Sequence, residues 1–292
     1  MLENQDEVLK KILPTDGPTI SEVKNYLDKY HSEYIVIKCG GSVLVEQNLF
    51  DQFINNISIL NKLGLIPIVV HGGGKRISNK LNETGIQTNF INGLRITDNQ
   101  TIKIVEKVLI EFNKEIVDSL KKKRCDAKQI NTKMNNVISV IKENDRLGFV
   151  GNPVKLFKDY LDKVIKEGKV PVIAPLGLDD KNLPYNINAD TAAGYIAKYL
   201  NARRLIIISD VEGVLDENKN LIPEINSKSV KELIENGVIS GGMIPKINNC
   251  LDVTNNGVKG VVIIDGRKNH SLLFELLSDK GSGTLIREWK IY

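Results

Sequence analysis

Lys38 follows an apolar run over residues 34–37 and leads into Cys39, Gly40, Gly41 and Ser42. A cation and open backbone at the end of a buried strand stand where open α/β sheets bind ligands. A surface lysine before a tight turn would leave the same local pattern. A second apolar run, residues 65–70, ends in His71, Gly72, Gly73 and Gly74, ahead of a helix-like segment over 75–83. Consecutive glycines at a strand-to-helix junction leave backbone N–H groups where the helix dipole is positive, which is the physics of an anion site. Arg95 lies between Gly93 and a long helix. Its planar fork could grip a carboxylate, or make a surface ion pair. Asn186, Asn188 and Asp190 fall within five positions at the start of another helix, more polar groups than one cap requires. Ser209 and Asp210 end a further apolar run. Lys246 sits in the first turn of a helix, the wrong charge for the dipole, a conflict that a bound anion would resolve.

These groups are cations, amides and one carboxylate. No Ser-His-Asp set is plausible, no thiol stands beside a base, and the isolated His71 reads as structural. Such a site fits phosphoryl transfer, a reaction catalysed by positioning and by neutralising charge on the transferring group. Neither glycine loop has the spacing of a Walker loop or of G-x-G-x-x-G, so a nucleotide would be bound by another design.

The elements that must position these residues alternate. Strands are expected over 34–37, 65–70, 137–142, 148–156, 170–174, 205–209 and 258–264. Helices are expected over 49–63, 75–83, 159–167, 227–235, 245–255 and 270–277, with a long one whose stripe is Ile102, Val105, Leu109, Phe112, Ile116 and Leu120. Residues 125–160 read as hairpins inserted in this pattern, and residues 281–285 as a closing tail. The class is α/β, a three-layer α/β/α sandwich with a central, mostly parallel open sheet and two lobes on one continuous sheet. Ahead of it, residues 1–13 suggest a short helix. Thr19 and Glu22 form a capping-box pattern for a second, giving an N-terminal arm over residues 1–32.

With 292 residues, 41% hydrophobic and 26% charged, the chain is an ordinary globular one, and a net charge of +4 is too small to argue for nucleic acid. Lys121, Lys122, Lys123 and Arg124 read as a solvated helix end. Cys39, Cys125 and Cys250 show neither a disulfide framework nor a zinc pattern, and three histidines exclude most histidine-rich metal sites. The charged N-terminus and the lack of a long apolar run predict no signal peptide, no membrane span and a cytoplasmic location.

Five motifs together carry a resemblance: Lys38-Cys-Gly-Gly-Ser, His71-Gly-Gly-Gly, Gly93-Leu-Arg-Ile-Thr-Asp98, Asn186-Ile-Asn-Ala-Asp190 and Ser240-Gly-Gly-Met-Ile-Pro-Lys246. In this order they resemble the amino-acid kinase superfamily and, within it, the N-acetylglutamate kinases of arginine biosynthesis, over about residues 34–288. The resemblance implies that Lys38 and Lys246 stabilise the transferring γ-phosphoryl group and that Asp190 orients both. Gly40, Gly41, Gly72, Gly73 and Gly74 would offer N–H groups to phosphate and substrate. Arg95 and Asn186, with Asn188, would hold N-acetyl-L-glutamate. Ser209, Asp210, Gly213, Val214, Leu215, Gly241, Gly242 and Met243 would contact ATP. Mg²⁺ would bridge the phosphates with little protein ligation. An N-lobe over about 33–180 would bind the acyl substrate and a C-lobe over about 181–292 the nucleotide.

Where the family usually carries Gly-Leu-Ser-Gly-Lys-Asp, this chain has Gln129-Ile-Asn-Thr-Lys-Met134. Only Lys133 matches among the distinctive positions, which leaves fine substrate preference open. The arm and the 281–284 tail resemble the layout of arginine-inhibited members, implying a homo-hexamer with arginine bound near His270 and Gly283. An inert leader is the alternative for the arm. For the whole chain the alternatives are a kinase of the same fold acting on acetylaminoadipate, aspartate or glutamate, or a non-catalytic nucleotide or arginine sensor.

Overall fold

The computed structural model describes residues 5–288. Helices α1 (Gln5–Ile12) and α2 (Ile20–Tyr30) precede the sheet. The first four residues of the expected leading helix lie outside the described residues. The capping box forms: Thr19 Oγ1 accepts the Glu22 N–H, and the Glu22 carboxylate accepts the Thr19 N–H at 2.9 Å.

Strand and helix then alternate through β1 (Tyr34–Cys39), α3 (Gln47–Lys62), β2 (Ile66–His71) and α4 (Gly74–Glu83). A hairpin of β3 (Phe90–Ile91) and β4 (Leu94–Arg95) turns at Asn92 and Gly93, both with positive φ, the geometry that suits strand twist. It leads to α5 (Asn99–Lys122), whose cap Asp98 accepts the N–H groups of Gln100 and Thr101. Next come β5 (Ala127–Ile130), β6 (Ile138–Lys142), β7 (Gly151–Leu156), α6 (Lys158–Lys166), β8 (Val170–Ile173), β9 (Leu176–Leu178) and β10 (Pro184–Asn186). The remainder is α7 (Ala189–Tyr199), β11 (Arg204–Ser209), β12 (Glu224–Ile225), α8 (Ser227–Glu235), α9 (Met243–Asn255), β13 (Val261–Asp265), α10 (Ser271–Leu277) and β14 (Gly283–Ile286).

The main sheet has eight strands in the order β12-β14-β13-β11-β1-β2-β8-β5, parallel except where β13 meets β14. The chain leaves β1 toward β2 on one side and later returns to β11 on the other. β1 is therefore the switch point, and a crevice opens at its carboxyl end. The alternation of side chains in β1 decides which layer each residue serves. Ile35, Ile37 and Cys39 pack against α2, α3, α5 and α10. Val36 faces the opposite core with α7 and α9, so Lys38, two residues on, projects to the α7 side. By the same rule His71 follows Val69 onto the α5 side.

The main sheet is continuous from β5 to β12, as expected, and the inserted hairpins form a separate four-stranded sheet, β10-β9-β6-β7, pairing with each other rather than with β5 or β8. One expectation is corrected. The tail at 281–285 is not a loose end. It carries β14, which inserts between β13 and β12, with Gly283 so close to β13 that a Cβ would stand 1.9 Å from the Ile263 carbonyl oxygen. Among the described residues no helix is long and apolar enough to cross a membrane.

Candidate active site

Asp190 joins the two lysines. Its Oδ1 is 2.9 Å from Lys38 Nζ and its Oδ2 is 2.9 Å from Lys246 Nζ. The Lys246 contact is a hydrogen bond; the Lys38 ammonium is paired with Oδ1 off the hydrogen-bonding direction. Lys38 comes from the α7 face of β1 and Asp190 from the first turn of α7, where a negative charge suits the dipole. Lys246 comes from the first turn of α9, which packs beside α7. Its unfavourable position on the dipole is compensated by Asp190. Burial would raise the Asp190 pKa, but the two ammonium charges outweigh it and hold the carboxyl well below the usual carboxylate range. Asp190 is thus a fixed anion that aims two cations at one place.

The two glycine loops lie beside this group. Gly40 leaves room for Lys38 to fold over it, since a Cβ there would be 2.5 Å from Nζ. Gly41 has φ +68°, and a Cβ there would lie 2.3 Å from Asp210 Oδ1. Asp210 is itself a latch: its Oδ1 accepts the Ser42 N–H at 2.8 Å and the Ser42 hydroxyl at 2.6 Å, and Lys75 stands 3.7 Å from Oδ2. Burial raises the Asp210 pKa, and these Ser42 bonds more than reverse it. The Gly72 N–H, expected to face phosphate, is instead donated to the Cys39 carbonyl at 2.7 Å, whereas among the described residues the Gly73 and Gly74 N–H groups have no protein acceptor. Gly73 caps α4, which has no side-chain cap.

A cavity of about 210 Å³ is lined by Lys38, Gly40, Gly41, Gly72, Gly73, Gly74, Arg95, Asn186 and Asn188, among others. It adjoins one of about 490 Å³ that shares Gly41, Gly73, Gly74 and Arg95 with it, and one of about 680 Å³ that shares Asn188. Asp190, Gly241, Gly242 and Lys246 line this last cavity. The cleft therefore runs from Arg95 past the lysines to the start of α9.

Arg95 is buried at one end. Of its five N–H donors, three go to protein: one to the Thr88 hydroxyl, two from Nη2 to the Gly74 carbonyl and the Ser78 hydroxyl. Its guanidinium also lies over the Phe90 ring at 4.8 Å. Two donors remain for a ligand, and burial lowers its pKa within a range where it stays charged. Asn188 is the cap of α7, its Oδ1 accepting the N–H groups of Asp190 and Thr191. The Asn186 amide has no protein partner among the described residues and lines the 210 Å³ cavity.

Other expected positions are not among the residues that line these three cavities. Val214 is buried and donates its N–H to Thr284 Oγ1 at 2.8 Å, Gly213 packs against Thr284, and Leu215 bridges to Leu221. Ser209 ends β11 and its carbonyl accepts the Gly266 N–H. Met243 opens α9 directly after Gly241 and Gly242. His270 contacts the arm, with Nε2 3.1 Å from Asp16 Oδ1 and Nδ1 3.0 Å from Asn56 Oδ1. The Ser42–Asp210 latch and the buried amides Asn113 and Asn131 escaped sequence reasoning. Asn113 carried a signal: it is polar yet adjoins Phe112 and Ile116 on the apolar stripe of α5.

Comparison with known proteins agrees with this geometry. The amino acid kinase family model matches residues 33–265. An acetylglutamate kinase of Pelagibacter ubique is 67% identical over 97% of this chain and 99% of its own length. One from Caldanaerobacter subterraneus is 41% identical over 96% and 94%. Among solved structures, an N-acetylglutamate synthase from Neisseria gonorrhoeae, complexed with coenzyme A and N-acetyl-glutamate, superposes with a TM-score of 0.83 over 93% of this chain. At 19% identity that likeness concerns the fold alone, and this chain spans 63% of the synthase. On both the family match and the identity to its relatives, the chain belongs to the amino acid kinase family, among the acetylglutamate kinases.

Proposed function

We propose that this protein transfers the γ-phosphoryl group of ATP to the side-chain carboxylate of N-acetyl-L-glutamate, giving N-acetyl-glutamyl-5-phosphate and ADP. The observation that carries this reading is the Lys38–Asp190–Lys246 bridge beside two glycine loops, in a chain 67% identical to an acetylglutamate kinase.

The acceptor is a carboxylate with an ordinary pKa of about 4.3, already ionised near neutral pH, so the attack needs no general base. That matches a site whose own carboxylate is locked between two cations. As the acceptor oxygen bonds to phosphorus and the bond to the ADP oxygen breaks, charge spreads over the equatorial oxygens. Lys38 and Lys246 neutralise it from two sides, and the Gly41, Gly73 and Gly74 N–H groups add fixed donors. The two unused donors of Arg95 and the Asn186 amide hold the α-carboxylate of the acyl substrate in the N-lobe. Asn188 contributes by fixing the start of α7. The nucleotide lies on the C-lobe side, toward 209–215 and Gly241–Met243. Among the described residues no group of three His, Cys, Asp or Glu could hold a metal, and Asp190 and Asp210 are already engaged. A Mg²⁺ ion brought in on the nucleotide phosphates would supply further positive charge there.

The test is ADP release with N-acetyl-L-glutamate beside acetylaminoadipate, aspartate and glutamate. Turnover of another acceptor in preference would transfer the reading to that kinase, and nucleotide binding with no turnover would favour a sensor.

Arginine as an inhibitor and a homo-hexameric assembly form a second part of the proposal, supported by the arm. α2 packs on α10, Tyr26 donates its hydroxyl to Asp279 at 2.7 Å, and Asp16 meets His270, so the arm is tied to the region around Gly283. Deleting residues 1–18 should reduce the mass in solution and weaken inhibition by arginine; an unchanged assembly removes this part.

A further inference from the structure

His71 is wholly buried on the α5 side of β2, the face opposite Lys38, and so cannot touch a ligand in the cleft. Its ring stands edge-on to Phe112 with centroids 5.2 Å apart. Nδ1 is 2.8 Å from the Gly72 carbonyl oxygen and Nε2 is 3.2 Å from Asn113 Nδ2. The protonation of this network is decided by groups that have no choice. The Val172 carbonyl can only accept, and it takes a hydrogen bond from Asn113 Nδ2 at 2.9 Å. The Lys133 and Met134 N–H groups can only donate, and both go to Asn131 Oδ1 at 3.0 Å. Asn131 Nδ2 is then left to donate to Asn113 Oδ1 at 3.2 Å. Both amides are fixed, so Nε2 accepts and Nδ1 carries the hydrogen that goes to Gly72.

The consequence lies in the next peptide. In a trans peptide the C=O and the following N–H point in opposite directions, and no cis peptide occurs among the described residues. With the Gly72 carbonyl drawn toward His71 beneath the sheet edge, the Gly73 N–H is turned the other way, toward the cleft that Gly73 lines. We propose that His71 is a positioning residue for phosphoryl transfer: through Nδ1–H it clamps the Gly72 carbonyl so that the Gly73 N–H faces the transferring group, with Asn113 and Asn131 selecting the tautomer. Gln129-Ile-Asn-Thr-Lys-Met134, which departs from the usual family motif, gains a role here, since its Asn131 anchors the chain of amides.

This proposal rests on the kinase reading, and the experiment separates the two. His71→Ala should lower kcat roughly 10- to 100-fold, part of what loss of a whole oxyanion donor costs, with the KM values for ATP and N-acetyl-L-glutamate changed less than about threefold. His71→Asn places an amide N–H near the position of Nδ1 and should recover most of the lost kcat. Equal loss in both variants, or a rise in KM alone, overturns the clamp. Should the variants fail to fold, ¹⁵N NMR of the wild-type imidazole decides: protonated Nδ1 with bare Nε2 supports it, and the opposite tautomer overturns it. A wild type that releases no ADP with any acyl acceptor sinks the kinase reading, while the tautomer still tests the clamp.

Discussion

Lys246 meets Asp190 at 2.9 Å from a neighbouring helix, in the one turn of α9 where a cation is electrostatically unwelcome. Asp190 compensates that position and shares its second oxygen with Lys38. Replacing Lys246 with Ala should lower kcat about 10²- to 10³-fold, the scale of one lost electrostatic contact to the transition state, and weaken ATP binding much less. Asp190→Asn should lower kcat by about 10²-fold through misplacement of both cations. Steady-state kinetics beside calorimetric titration of a non-hydrolysable ATP analogue would check this; a parallel loss of binding and turnover would favour a binding role.

Arg95 has committed three donors to Thr88, Gly74 and Ser78. Lysine keeps the charge but has neither the fork nor the flat face that lies over Phe90. Arg95→Lys should raise the KM for N-acetyl-L-glutamate about tenfold or more, a loss near 1.4 kcal/mol, and leave that for ATP nearly unchanged. An unaltered acyl-substrate KM would place the α-carboxylate elsewhere.

Gly41 is required twice, by its positive φ and by the nearness of Asp210. Gly41→Ala should cost about 1–3 kcal/mol of stability from backbone strain and reduce kcat by disturbing the Ser42–Asp210 latch. Thermal melts and initial rates on the same samples measure both. A variant with wild-type melting and turnover would show that the loop does not depend on this conformation.

Burial, reinforced by Arg76 and only partly offset by the Gly72 bond, pushes the His71 pKa down to about 4. The unfolded value is about 6.5, so between these values the unfolded chain binds more protons. The stability contributed by keeping His71 neutral is therefore full above about pH 6.5 and is lost as pH falls toward the folded value. Between pH 6.5 and 5 the wild type should lose on the order of 2 kcal/mol that His71→Asn does not lose. Denaturant unfolding at both pH values, in both proteins, provides the comparison.

Much of the fold was legible because its signals are local. Apolar runs ending in glycine placed β1 and β2, the stripe from Ile102 to Leu120 placed α5, and Thr19 with Glu22 placed the start of α2, all through spacings of a few residues. The hairpin of β6 and β7 was legible as well, whereas its union with β9 and β10 into a separate sheet was not, since that pairing joins segments far apart along the chain. The short β14 was missed because four residues carry little periodicity, and its place beside β13 depends on Gly283 fitting under Ile263.

The sequence by itself determined the chemistry: cations, amides and glycine N–H groups at strand ends, with no nucleophile or base. Strand parity in β1 also sends Lys38 to the opposite face from Cys39. Only the tertiary structure decided which of these groups meet. Lys38, Asp190 and Lys246 converge because α7 and α9 pack side by side on the face of β1 that carries Lys38. Asp210 becomes a latch because β11 lies next to β1. Asn113 turns from an anomaly on an apolar stripe into a partner of His71 because α5 covers the end of β2. Local spacing sets the direction of a side chain, whereas the element it meets is chosen by packing between distant segments.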